Sequence, residues 1–184
     1  MTQSLFDQAG TRKYLNERER RAFLAKAFRE QREVSSFCLT LGLTGARLSE
    51  VLSLTGDQID FANGAIVFRT LKRRNKIAFR AVPVPPRLLS LLKKLAPKSN
   101  VKLWDWGRTA AWSIVKGLMR DCGIIDALCK PKALRHGFAV AAGQRGVPLN
   151  IVQRWLGHAR IETTAIYANA LGKEERDLAR RLWG

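Results

Sequence analysis

The stretch from Lys130 to Tyr167 constrains this chain more than any other. Pro131 suits the first position of a helix, where its missing N–H has no partner to lose. Leu134, Phe138 and Ala141 then recur at helical spacing, and Gly146 is placed as a stop. Lys130, Lys132 and Arg135 therefore crowd the start of the helix, where the backbone dipole favours anions and three cations cost stability. Lys132 and Arg135 stand three apart on one face. Free N–H groups with two cations on that face describe a phosphate site. A second helix follows: Pro148 opens it, Leu149, Val152, Trp155 and Leu156 form its apolar face, and Gly157 ends it. His158 falls directly after that stop, and Tyr167 lies nine residues further on, at the end of a helical segment from Ile161.

Each of these residues alone has an ordinary reading: a solvated Arg, a capping His, a packed Tyr. In order they read Lys-x-x-Arg-His, Leu-Gly-His, then Thr-Thr-x-x-Tyr. Upstream, Thr44, Gly45, Arg47, Ser49 and Glu50 punctuate the end of one helix and the start of another. The combination resembles the tyrosine recombinases, the phage integrase family. That family's first box is Thr-Gly-x-Arg-x-Ser-Glu, and its second is His-x-x-Arg, then Leu-Gly-His, then a nucleophilic Tyr. The chain departs at Lys132, which stands where the first His is usual.

The charge balance points the same way independently. Lys and Arg number 33 against 15 Asp and Glu, a net +18 over 184 residues. A field of that sign calls for a polyanion, and nucleic acid is favoured over a membrane surface; the resemblance narrows it to double-stranded DNA. No run is apolar and long enough to span a bilayer, and Met1 to Gly10 does not read as a signal peptide, so a cytoplasmic location is expected. Cys38, Cys122 and Cys129 lack paired metal spacing, and with two histidines a His-rich metal site is not expected.

Along the chain, residues 1–13 show no periodicity and are expected to form a flexible lead-in to a single catalytic domain over 14–184. Asn16 with Glu19 makes a capping-box start for a helix carrying Leu15, Phe23, Leu24, Ala27 and Phe28. Val34 to Leu43 reads as a buried helix, broken at Thr44-Gly45-Ala46 before a third begins at Arg47. Glu50 reads as a structural partner that buttresses a helix or a cation. From Asp57 the period changes to two. Asn63-Gly64 marks a tight turn, and the runs 65–70 and 77–84 complete a small antiparallel three-stranded sheet. The basic tip Lys72-Arg73-Arg74-Asn75-Lys76 is either a solvated hairpin end or a finger for phosphate. Helices follow over 87–95 and 109–122, with Trp104, Trp106 and Trp112 expected in the core. Residues 168–184 read as a tail helix that packs at home or docks on a neighbouring protomer. The fold class is thus mainly α with a small antiparallel sheet, an α+β arrangement.

The resemblance implies more. It assigns Arg47, Lys72, Lys132, Arg135, His158 and Tyr167 to catalysis, with Tyr167 attacking phosphorus, and it implies neither cofactor nor metal. Arg73, Arg74, Lys76, Lys130 and Arg160 are expected to contact DNA. It further implies a 3′-phosphotyrosine intermediate, strand rejoining, and a homo-oligomer, a tetramer on DNA. Only 46 residues precede Arg47, too few for the N-terminal clamp domain of typical members. In that respect the chain resembles the short fimbrial phase-variation invertases. The alternatives are a non-catalytic DNA-binding factor on the same fold, or strand cleavage and religation of the type IB topoisomerase kind.

Overall fold

A computed structural model describes residues 4–71, 77–95, 100–167 and 183. The Asn16 side chain accepts from Glu19 N at 2.9 Å and Glu19 reaches back to Asn16 N at 3.0 Å, which starts α1, Glu17–Ala27. The buried helix is α2, Arg32–Thr44, with Phe37, Cys38, Leu39 and Leu41 inside. It lies at the centre, against α1, α4 (Pro86–Lys93) and α6 (Pro131–Gly143). The short α3 spans Leu48–Leu52 and packs on α5, Arg108–Asp121. α7 is Leu149–Leu156 and α8 is Glu162–Ala165.

The sheet runs in the order β1-β2-β3, all antiparallel: Ile59–Asp60, Ala65–Leu71 and Ile77–Pro83. Its register pairs Ile66 with Val82 and Phe68 with Arg80. Alternation then puts Ile66, Phe68, Arg80 and Val82 on the covered face and leaves Phe79 67% exposed.

Two expectations change. Trp112 is not core; it is 38% exposed at the mouth of a cavity, because α5 turns Ala111, Val115 and Met119 inward instead. Trp104 is buried, its Nε1 donating to Glu33 O at 3.1 Å, and Trp106 packs edge-on against Phe37. The second concerns the lead-in, where Leu5 is buried although Ser4 and residues 6–11 are exposed. Asp7 closes a turn by accepting from Thr11 N at 2.8 Å, and Lys13 N donates to Leu5 O at 2.7 Å. Leu5 is 3% exposed against Phe138 and Val152. A single buried Leu in a turn gives no periodic signal. The basic hairpin tip and the tail expected over 168–184 lie outside the described residues, Trp183 excepted.

Gly45 is the hinge of the first box. It caps α2 in the left-handed region at φ 63°, and a Cβ there would sit 2.5 Å from the Phe138 ring. Replacing Gly45 with Ala is expected to lower stability by about 2–4 kcal/mol, from left-handed strain plus overpacking. Urea unfolding of the two proteins measures the difference.

Candidate active site

Two helix ends and a third helix meet at one point. α2 stops at Gly45, α7 stops at Gly157, and α6 passes between them carrying Arg135. The Arg135 guanidinium is 8% exposed and donates to Gly45 O and to Leu156 O, each at 2.7 Å. Both acceptors are unpaired carbonyls at helix C-termini, where the dipole is negative. Two of its five N–H groups are thus used to hold it in place, and the others are available to an anion. Burial, with Arg47 nearby, lowers its pKa to about 10, so it remains a cation at neutral pH.

Arg47 reaches the same place from the start of α3. Its backbone N–H and its guanidinium both donate to Glu50, at 2.8 and 2.9 Å. Glu50 is buried and also receives Arg80, whose Nη2 lies 2.7 Å from Oε2. Burial works against the Glu50 charge, but the bonds from Arg80 and Arg47 outweigh it and hold the carboxyl near a pKa of about 2. Arg80 itself donates through Nε to Trp155 O at 2.7 Å and through Nη1 to Thr70. Gly157, at φ 66°, leaves room for it: a Cβ there would lie 3.1 Å from the Arg80 guanidinium. The structural role expected for Glu50 is therefore present, and it serves both a helix and two cations.

His158 follows that glycine. Its Nδ1 lies 2.9 Å from the Thr164 hydroxyl, and its ring stacks on Tyr167 at 6.2 Å with 15° between planes. Burial, then Arg135 and Arg47, depress its pKa to about 3, so it is neutral at pH 7. Tyr167 is 4% exposed, and its hydroxyl lies 2.8 Å from His136 Nδ1. Burial raises the phenol to about 12, against the pull of Arg135 and Arg47.

Arg47, Lys132, Arg135, His158 and Tyr167 all line one cavity of about 490 Å³. Arg108, Lys130 and His136 line it too, and no Asp or Glu does. Arg47, Ser49 and His158 are shared with a larger hollow of about 700 Å³ between the sheet and α7. Of the remaining expected residues, Arg160 is exposed and lines neither cavity, while Lys72, Arg73, Arg74 and Lys76 lie outside the described residues. Arg80 and His136 were not singled out in the sequence. Alternation with Val82 and Val84 marked Arg80 as inward-facing, and an inward cation needs a carboxylate. His136 gave no signal beyond its place after Arg135.

Among the described residues, no cluster of three or more His, Cys, Asp or Glu side chains is placed to hold a metal ion. None of the helices there is long and apolar enough to cross a membrane.

The comparisons with known proteins agree on the fold. Tyrosine recombinase XerA of Pyrococcus furiosus is 29% identical over 161 residues, covering 75% of this chain and 50% of XerA. The crystal structure of XerA recombinase superposes with a TM-score of 0.76 at 21% identity, over 91% of this chain and 64% of that one. XerH site-specific recombinase bound to palindromic difH, a post-cleavage complex, gives 0.75 at 24% identity, over 93% of this chain and 53% of that one. The chain spans about half the length of the curated relatives it matches. With a family model matched from residue 13 to residue 174, and with both boxes brought to one cavity, the chain belongs to the phage integrase family.

Proposed function

We propose that this chain is the catalytic unit of a site-specific DNA recombinase, cutting and rejoining duplex DNA through a covalent bond to Tyr167. The observation that carries the reading is the single cavity lined by Arg47, Arg135, His158 and Tyr167, with five cationic side chains and no carboxylate. A phosphodiester entering it meets two guanidinium groups suited to its non-bridging oxygens. As charge shifts onto those oxygens, preorganised donors hold it without reorganising. With the Thr164 hydroxyl donating to Nδ1, neutral His158 carries its proton on Nε2 and can donate it to a phosphate oxygen.

In the first step the Tyr167 oxygen bonds to phosphorus and the P–O bond to the 5′ oxygen breaks. The phosphate remains as a 3′-phosphotyrosine and the 5′ oxygen leaves with a proton. Lys72, which follows β2 in the sequence and lies outside the described residues, is our candidate for the donor of that proton, and Lys132 for a further phosphate contact. Attack by another 5′-hydroxyl reverses the step and completes strand exchange. DNA as partner is supported by the net charge of +18 and by the XerH–difH complex. Assembly into a homo-oligomer on DNA, Lys130 and Arg160 as phosphate contacts, and an intracellular setting complete the proposal.

The test is a trapping assay on a nicked duplex selected from random sequence for binding to this protein. Wild type is expected to give a slower, protease-sensitive DNA band on a denaturing gel, and Tyr167→Phe none, with equal binding by both. A band that persists in Tyr167→Phe would remove Tyr167 as nucleophile. No band from either, on DNA that is bound specifically, would favour the non-catalytic DNA-binding factor.

A further inference from the structure

An attacking phenol must lose its proton, and among the described residues none of the expected site residues places an acceptor against the Tyr167 hydroxyl. Lys132 carries three donors and no acceptor when charged. Arg47 and Arg135 are cations held by Glu50 and by backbone carbonyls. The His158 ring lies nearly parallel to the Tyr167 ring but offset, 6.2 Å between centroids, with its Nδ1 against Thr164. Among the described residues one side chain touches the reacting oxygen: Nδ1 of His136, 2.8 Å from the Tyr167 hydroxyl. We propose that His136 is a catalytic residue, a general base whose Nδ1 accepts the phenolic proton as the Tyr167 oxygen bonds to phosphorus. The proposal rests on the recombinase reading above.

The placement favours it. His136 follows Arg135 on α6, so the helix that fixes the phosphate clamp also fixes the base. His136 and Tyr167 both line the cavity that Arg47 and Arg135 line. The surroundings keep the imidazole neutral and able to accept. It is 9% exposed, and it faces Lys132, Arg135 and Lys130 from α6 and its cap, and Lys13 from the N-terminal segment. Burial first, then those cations, lower its pKa to about 4. The proton balance closes with two groups: the phenolic proton moves to Nδ1 as the Tyr167 oxygen bonds to phosphorus, and the P–O bond to the 5′ oxygen breaks as that oxygen takes a proton from the separate acid proposed above. In rejoining, the imidazolium returns the proton to the Tyr167 oxygen as that oxygen leaves phosphorus.

Two measurements test this. The first needs no DNA. His136 and His158 are the only histidines in the chain, so their ring nitrogens are readily assigned in a long-range proton–nitrogen NMR spectrum. His136 is expected as the Nε2–H tautomer, with a Nδ1 shift that changes in Tyr167→Phe; a proton on Nδ1 would overturn the proposal.

The second is the pH dependence of adduct formation on a selected duplex carrying a 5′-bridging sulfur, whose departure needs no acid. Wild type is expected to be level between pH 6 and 9. His136→Ala is expected to be slower by about 100-fold or more at pH 7 and to climb about tenfold per pH unit, because the phenolate must form first. His136→Gln, which retains a hydrogen bond but no base, is expected to match Ala. Wild-type rates or an unchanged pH profile in either variant would overturn the base role. If wild type and Tyr167→Phe alike form no adduct on bound DNA, the recombinase reading fails and this proposal falls with it, a result distinct from a wild-type enzyme indifferent to position 136.

Discussion

Arg135→Ala is expected to abolish cleavage for practical purposes, lowering the rate of adduct formation on the order of 10³-fold or more, the scale of an arginine that stabilises a phosphoryl transition state. It should also destabilise the fold. The guanidinium closes two helix C-termini at once, through Gly45 O and Leu156 O at 2.7 Å each, and its loss leaves two buried carbonyls without partners. At about 1–3 kcal/mol for each buried group left unsatisfied, a loss of about 2–5 kcal/mol follows. Arg135→Lys separates the two effects. A lysine retains the charge but has no planar fork to span both carbonyls, so the stability loss should be partial while cleavage still falls steeply. Single-turnover trapping and urea unfolding on the same samples provide both numbers. Near-wild-type cleavage in the Lys variant would mean that charge alone, and not fork geometry, holds the phosphate.

Glu50→Ala is the second large effect, and it acts first on stability. Glu50 is the common partner of Arg47 and the buried Arg80, and removing it strands Arg80 beneath the sheet. Breaking a buried pair from one side costs about 3–5 kcal/mol. Cleavage should fall as well, because Arg47 loses both bonds that orient it. Replacing Glu50 and Arg80 together by apolar residues should restore much of the stability but not the orientation of Arg47.

The same carboxyl shapes the acid limb. Its pKa in the folded protein lies below its ordinary value, so its contribution is present above about pH 4.5 and is lost as pH falls towards 2. His136 and His158 also have depressed values, about 4 and 3 against an ordinary 6.5, and the unfolded chain takes up their protons first. Stability is therefore expected to decline already below about pH 6.5, with Glu50 adding to the decline below 4.5. Glu50→Gln should remove the lower component and leave the upper one, as chemical denaturation across pH 3–7 would record.

The elements were legible in the sequence because their signals are local. Asn16 with Glu19, Pro131, Pro148, Gly45 and Gly157 each mark a boundary through the φ or hydrogen bond that the residue itself supplies. The switch from period 3.6 to period 2 after Asp57 placed the sheet, and the two boxes named Arg47, Arg135, His158 and Tyr167. Trp112 was misread, and the burial of Leu5 was not foreseen, because burial depends on what an element packs against. A lone apolar residue in a turn carries no period, and Trp112 stands on the exposed side of α5 beside Arg108, Thr109 and Ser113.

By itself, then, the chain determined where most helices and strands begin and end, and which cations and hydroxyl fall within the two family boxes. Only the tertiary structure decided what those groups do to one another. The pairs Glu50–Arg80, Arg135–Gly45, Arg135–Leu156 and His136–Tyr167 join positions 21 to 90 residues apart. Capping and periodicity act over a single turn of helix or a few residues of strand, whereas such pairings exist only once α2, α6 and α7 have packed. Burial then sets protonation: it makes His158 and His136 neutral and Tyr167 a weaker acid, and no reading of residue types along the chain contains that.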